Sequence, residues 1–378
     1  MELLNATKMK AAYTMGMKPD GRELLVVVVK GTFDFPEGNG EVATLSKTQL
    51  DLVMSDTFSG EPGYSATVYE SEFCPFKPRC DVLLNGSAHA PGGKPVRKVQ
   101  VGLRVGEMTK SFEVVGNRKW QVGLLGVSAS DPEPFLEMPI SYDRAFGGCD
   151  QSHEDPQKHA AFMDNPVGRG FQVNHAPQAI QGKPLPNTEE SGQPVTKPNG
   201  NYRPMSFGPV LRNSTPRLRF AGTYDQNWID NVFPFLPGDF DDRYFQVAPE
   251  NQQIECLRGG EEVVMLNLTP EGRKTFRLPV IEVPVTFYRK NNDETPSQSV
   301  IDTILFEPGM RRFSMIWRIA SPLKRNMFEV AQVVVGTMPR AWYRARKLGK
   351  TYYPSLKALV DERRSARQES SELKEVGT

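Results

Sequence analysis

The sequence predicts a mainly β protein: two antiparallel β-sandwich or barrel-like halves, joined by long Pro/Gly-rich ordered loops, with a short helical basic C-terminal tail. Three observations carry that prediction. Apolar residues fall in short β-branched runs or at every second position, which is the period of strands. Gly 32 and Pro 31 among 378 residues supply the turns that many strands need, and disfavour a helical bundle. From Arg340 the text becomes rich in charge and helix formers.

Taken in order, residues 23–35 (ELLVVVVKGTFDF) read as a strand apolar enough to be covered on both faces. Residues 96–105 alternate apolar and polar, as a half-exposed antiparallel strand does. Residues 110–115 and 118–122 flank Gly116 and Asn117, two residues tolerant of positive φ, and predict a hairpin. Across residues 150–216 periodicity disappears, while Phe162, Phe171, Ile180, Tyr202 and Phe207 remain as apolar anchors for ordered loops. Strand patterns resume at 263–268, 275–278, 281–288, 301–307 and 313–319, with Pro279 and Pro284 suited to edge positions. Residues 326–336 suit a short helix or a strand, Tyr353-Pro354-Ser355 suits a helix start, and the chain is expected to fray beyond Ser365. The expected domains are 1–149 and 217–322, with a connector at 150–216 and a charged extension at 323–378. An echo between VVKGTFDF at 28–35 and RFAGTYDQ at 219–226 raises a duplicated β-domain.

Bulk properties exclude several functions. Lys+Arg 46 against Asp+Glu 45 leaves a charge of +1, so no global field draws the chain to nucleic acid or an anionic membrane. Four scattered cysteines make no disulfide framework. The N-terminus lacks the apolar core of a secretory signal, and the longest apolar run, at 24–29, has strand length. A soluble cytoplasmic protein, monomeric by preference and without nucleic acid or membrane partners, is the expectation.

Catalytic chemistry is thin. Cys149, His153 and His159 come closest to metal-ligand spacing, but only His175 or Asp155 is near enough in sequence to complete a site. Asp239, Asp241 and Asp242 in GDFDDRY suggest a cation loop or an acid/base pair. No EF-hand pattern surrounds them, and Asp239 and Asp241 are better read as turn residues bonding amides or pairing with Arg243. Ser87 and His89 sit two apart on an extended segment, a poor geometry for nucleophile and base. No catalytic residue, cofactor or metal is predicted. A hydrolase working through the DFDD loop or the Cys149/His153/His159 cluster is the alternative. The basic segment around Trp342 and Tyr343 (Arg340, Arg344, Arg346, Lys347, Lys350) reads as a solvated helix face, given Asp361, Glu362, Glu369 and Glu372 downstream.

One stretch stands apart. Residues 217–253 pack aromatics with Pro, Gly and Asp so densely that no long regular element runs through them, which marks a shaped loop clamped onto a core. Motifs on both sides follow in order: KGTFDF at 30–35, PFKPRCDVLLNGSAHAPGGKPV at 75–96, VGNRKW at 115–120, FLEMPISYDRAFGG at 135–148, NPVGRG at 165–170 and LPNTE at 185–189. RLRFAGTYDQNWI at 217–229, DFDDRYFQVAP at 239–249, LPV at 278–280, IDTILFEP at 301–308 and WRIASP at 317–322 complete the run. In this register the chain resembles a bacterial family first catalogued as a domain of unknown function and associated with adaptors, or chaperones, of the type VI secretion system. Its members are typically encoded beside VgrG spike, PAAR-tip and toxin genes. The resemblance spans residues 28–322, with Asn117 where an acidic residue is expected and Ser206 where Gly is usual.

The resemblance implies a non-catalytic adaptor that binds a type VI effector and promotes its loading onto the PAAR/VgrG spike. A structural subunit of the secretion particle is a further alternative. A loading adaptor needs a preformed surface, and aromatics and Arg concentrate binding energy. The expected contact residues are therefore Arg217, Arg219, Trp228, Phe233, Phe235, Asp239, Phe240, Asp242, Arg243 and Tyr244, with the three aromatics Trp228, Phe233 and Phe235 as anchors. The competing reading makes these rings core that only holds the loop in shape.

Overall fold

Val26 to Val29 lose little side-chain freedom when extended, and a run apolar on both faces must be covered on both. In the computed structural model, which describes residues 1–124, 126–290, 293–353, 355–360 and 364, this run lies in the strand Glu23–Asp34. Leu25, Val27 and Val29 enter the main core, while Leu24, Val26 and Val28 pack on the other face with Ile316, Leu52 and Phe73. The strand belongs to a seven-stranded sheet, between Lys10–Met17 and Arg312–Pro322, both antiparallel to it. Beyond Arg312–Pro322 follow Val300–Glu307, then Cys80–Leu84 running parallel to it, then Gln253–Ile254 at the edge.

A five-stranded antiparallel sheet runs Thr188–Glu189, Met108–Val115, Lys98–Val105, Glu262–Leu266, Arg273–Arg277. A four-stranded sheet pairs Glu2–Asn5 in parallel with Val330–Val335, followed by Pro284–Arg289 and Glu294–Gln298. All three sheets feed one core: Phe33, Phe313, Val101, Phe112, Phe287 and Val333 are each at most 1% exposed and belong to it. Phe33 and Phe313 stack with centroids 5.2 Å apart. Each such ring contributes about 1.5–3 kcal/mol by burial. The protein is mainly β, as the sequence predicts.

Several expectations change. Strands from residues 1–149 and 217–322 interleave: Cys80–Leu84 lies beside Val300–Glu307, and Lys98–Val105 beside Glu262–Leu266. Compactness divides the chain instead into Met1–Val335 and Gly336–Thr378. The hairpin turn is at Gly106 and Glu107, because Val105 pairs with Met108 and Gly106 takes φ 57. Gly116 is glycine for another reason: a Cβ there would fall 1.8 Å from the Glu133 carbonyl oxygen. Pro284 opens an interior strand, where its missing N–H is tolerated at the first position. Residues 326–336 hold the strand Val330–Val335. The echo is not structural: residues 28–34 are strand, whereas 219–226 form turns leading into the helix Gln226–Asn231.

The loops of 150–216 build a small core of their own, in which Phe162, Phe171, Ile180 and Tyr202 meet Trp120 and Phe146. Phe207 enters the main core. Asp150 pins them, accepting hydrogen bonds from the amides of Ser152 (3.0 Å), Val173 (2.9 Å) and Asn174 (2.8 Å) and from the Ser152 hydroxyl (2.7 Å). Burial pushes this carboxyl up, but the hydrogen bonds from Asn174, Ser152 and Val173 outweigh it and hold the group at about 2. A depressed carboxyl stabilises the fold above its unfolded value of about 3.9 and loses that contribution as pH falls through the folded one. Asp150→Asn should therefore melt below the parent at pH 7, and the gap should narrow between pH 4 and 2. A gap that stays constant in thermal melts across that window would count against the ionised role.

The second unit contains the helix Arg340–Lys347, with Arg344, Arg346 and Lys347 in its last turn, where cations complement the helix dipole. Pro354 of the expected helix start, the fraying beyond Ser365 and the acidic residues Asp361, Glu362, Glu369 and Glu372 lie outside the described residues.

Candidate partner-binding lobe

Between the helical turn Thr215–Leu218 and the 3-10 turn Asp242–Phe245, the chain forms a lobe without strands. Its root is held from inside. Arg217, expected at the contact surface, is 3% exposed, and its guanidinium grips Glu70 and the carbonyls of Tyr244 and Val210. Arg212 joins the same carboxylate at 2.9 Å and reaches on to Asp56. Arg217 therefore anchors the lobe and does not face a partner. On the return side the Asp81 carboxylate, fully buried, accepts from the amides of Val247 (2.8 Å) and Ala248 (3.1 Å), from Gln246 Nε2 (2.6 Å) and from Lys77 Nζ (2.7 Å).

The Asp residues shape the lobe. Asp239 accepts from the Thr223 amide (3.0 Å) and hydroxyl (2.7 Å), and these hydrogen bonds hold its carboxyl below the usual range. Asp225 caps the helix Gln226–Asn231 by accepting from the Trp228 amide at 2.9 Å. Asp241 takes the Arg243 amide and guanidinium, which lowers its carboxyl, while burial, then the Asp241 charge, raises that of Asp242. Asp239 and Asp241 thus do what the sequence assigns to them, bonding amides and Arg243 around turns.

The aromatics divide into two sets. Phe240, Tyr244 and Phe245 contact one another at the root, and Phe220 lies between Arg219 (4.6 Å) and Arg243 (4.2 Å) in cation–π contact. Trp228 is half-buried: its indole N–H donates to the Phe235 carbonyl at 2.9 Å, and Tyr224 and Phe233 meet its ring edge-to-face. Trp228 is the internal post of the tip. Around it Phe233 is 66% exposed, Ile229 56%, Tyr224 52% and Phe235 44%, a concentration of apolar surface on one small lobe. Tyr224 and Ile229 escape a reading by residue type. On the short helix Gln226–Asn231, Ile229 follows Trp228 directly, so the larger ring masks the apolar signal of its neighbour.

Trp228→Ala should loosen this tip without unfolding the protein. Limited proteolysis within residues 224–236 is expected to accelerate, while the main melting transition moves little. Loss of the whole fold would instead make Trp228 core.

The other constellations are engaged locally. Cys149 Sγ donates to the Pro166 carbonyl at 3.4 Å, His153 Nδ1 accepts from the Asp155 amide at 2.9 Å, and His159 Nε2 lies 2.9 Å from the His153 carbonyl oxygen. Among the described residues no three His, Cys, Asp or Glu side chains are grouped to hold a metal. Among the same residues no helix is long and apolar enough to cross a membrane.

A family model described as "Uncharacterized protein conserved in bacteria (DUF2169)" matches residues 20–318, a span that contains almost all of the ordered motif run. No curated protein and no solved structure matches the chain.

Proposed function

This chain belongs to the DUF2169 family of bacterial proteins, and we propose that it is a non-catalytic adaptor that holds another protein through the exposed tip of the lobe. The partner in this reading is a type VI secretion effector, which the adaptor carries in the cytoplasm to the PAAR/VgrG spike. The observation that carries the binding role is the exposed ring of Tyr224, Ile229, Phe233 and Phe235 on a root fixed by buried charge. Preformed apolar surface on a fixed base binds with a smaller ordering cost than a disordered segment does, which suits a carrier that must grip and then release. The secretion role rests on the motif run from 30–35 to 317–322.

Co-expression of the tagged protein with neighbouring spike, PAAR and toxin genes tests this. A discrete complex with the toxin or its PAAR-bearing region, resolved by size exclusion, is the expected result. A protein that elutes alone in the presence of all three would overturn the secretion role.

A further inference from the structure

A cleft of about 460 Å³ opens at the root of the lobe, within the usual size of ligand sites. Arg79, Lys110, Arg203, Arg219, Phe220 and Arg243 are among the residues that line it. Arg219 and Arg243 have carboxylate neighbours, Glu250 and Asp241, while Arg203 reaches Glu190 only at 3.8 Å. Among the described residues no carboxylate is placed against Arg79 or Lys110. Lys110 is 4% exposed, and its ammonium donates only to neutral acceptors, the Ser206 carbonyl (2.7 Å) and Gln252 Oε1 (2.5 Å). A buried ammonium without a counter-charge is costly, and here burial, then the Arg203 charge, holds it down to about 7. An anion seated beside it would supply the counter-charge that this ammonium lacks.

We propose that this cleft receives a carboxylate-bearing segment of the adaptor's protein partner, an acidic stretch with apolar residues that continue onto the exposed lobe tip. The inference rests on the adaptor reading and adds the chemistry of the partner's docking segment. Met205, Val210 and Phe220 add apolar lining to the same cleft, which suits a chain of alternating acidic and apolar side chains. Asp164 and Glu250 on the same lining disfavour a continuous phosphate backbone, which places a charge at every step. Arg219 and Arg243 belong to both the cleft and the root of the lobe, so the cleft opens at the base on which the exposed tip stands.

The test uses the full chain and a short labelled peptide alternating Asp and Phe, with a Lys/Phe peptide as control. Arg79→Glu/Arg203→Glu reverses two exposed charges and should not lower the melting temperature, since a carboxylate at 203 removes a cation that disfavours the Lys110 ammonium. The parent should bind the Asp/Phe peptide more tightly than the control, more weakly as salt rises, and about tenfold or more better than the double variant. Equal binding by parent and double variant overturns the proposal, as does displacement of the peptide by an equal concentration of inorganic phosphate, which marks a simple anion site. Toxin capture is read in parallel. Capture that survives the double variant removes the cleft and keeps the adaptor. Peptide binding that the double variant abolishes, with no toxin captured by either protein, keeps the acidic-segment site and removes the adaptor.

Discussion

Asp81→Ala is expected to destabilise the Met1–Val335 unit by about 3–5 kcal/mol, the usual loss when one member of a buried ion pair is removed. Four donors converge on this carboxylate: Lys77 Nζ, Gln246 Nε2 and the amides of Val247 and Ala248. Alanine leaves the Lys77 ammonium with only the Thr303 hydroxyl at 2.8 Å. It also orphans two buried amides where the lobe returns to the strand Cys80–Leu84. Asp81→Asn should fall between parent and alanine, since one amide oxygen still accepts but the charge opposite Lys77 is gone. Urea denaturation with an unchanged slope checks this. A loss under about 1 kcal/mol would mean that water reaches the carboxylate, contrary to its full burial.

The second large effect concerns binding. Ile229→Asp/Phe233→Asp should weaken capture of the co-expressed toxin by about 30-fold or more, the scale of a hot spot near 2 kcal/mol. Both side chains are more than half exposed, so the melting transition should stay where it is. Charge placed in a desolvated contact is penalised only when the partner is bound. Unimpaired capture would move the contact off the tip.

Much of this fold is legible from residues 23–35, 301–307 and 313–319, whose β-branched and aromatic periodicity falls almost wholly within the strands found. Their partners are not legible. The parallel pairing of Cys80–Leu84 with Val300–Glu307 joins distant segments, and no local signal encodes a non-local register. Gly106 and Gly116 read alike, because a sequence does not say whether a glycine serves a positive φ or a close approach. The same blindness affects the site. Arg is common at interfaces, yet Arg217 is buried on Glu70, a partner far away in sequence. Trp228 is expected as an anchor beside Phe233 and Phe235, yet its large indole is half-buried within the small lobe, while the smaller Phe233 and Ile229 stay outside. Lys110 sits at an inward position of an alternating strand, where residue type alone reads as an exception.

The most direct test of the lobe as contact surface is amide hydrogen exchange on the complex with the co-expressed toxin, compared with the free protein. The account predicts that residues 218–240 slow markedly on binding, with residues 203–206 and 250–253 of the cleft wall slowing beside them. Protection confined to the sheets or to the Gly336–Thr378 unit, with the lobe exchanging as in the free protein, would contradict it.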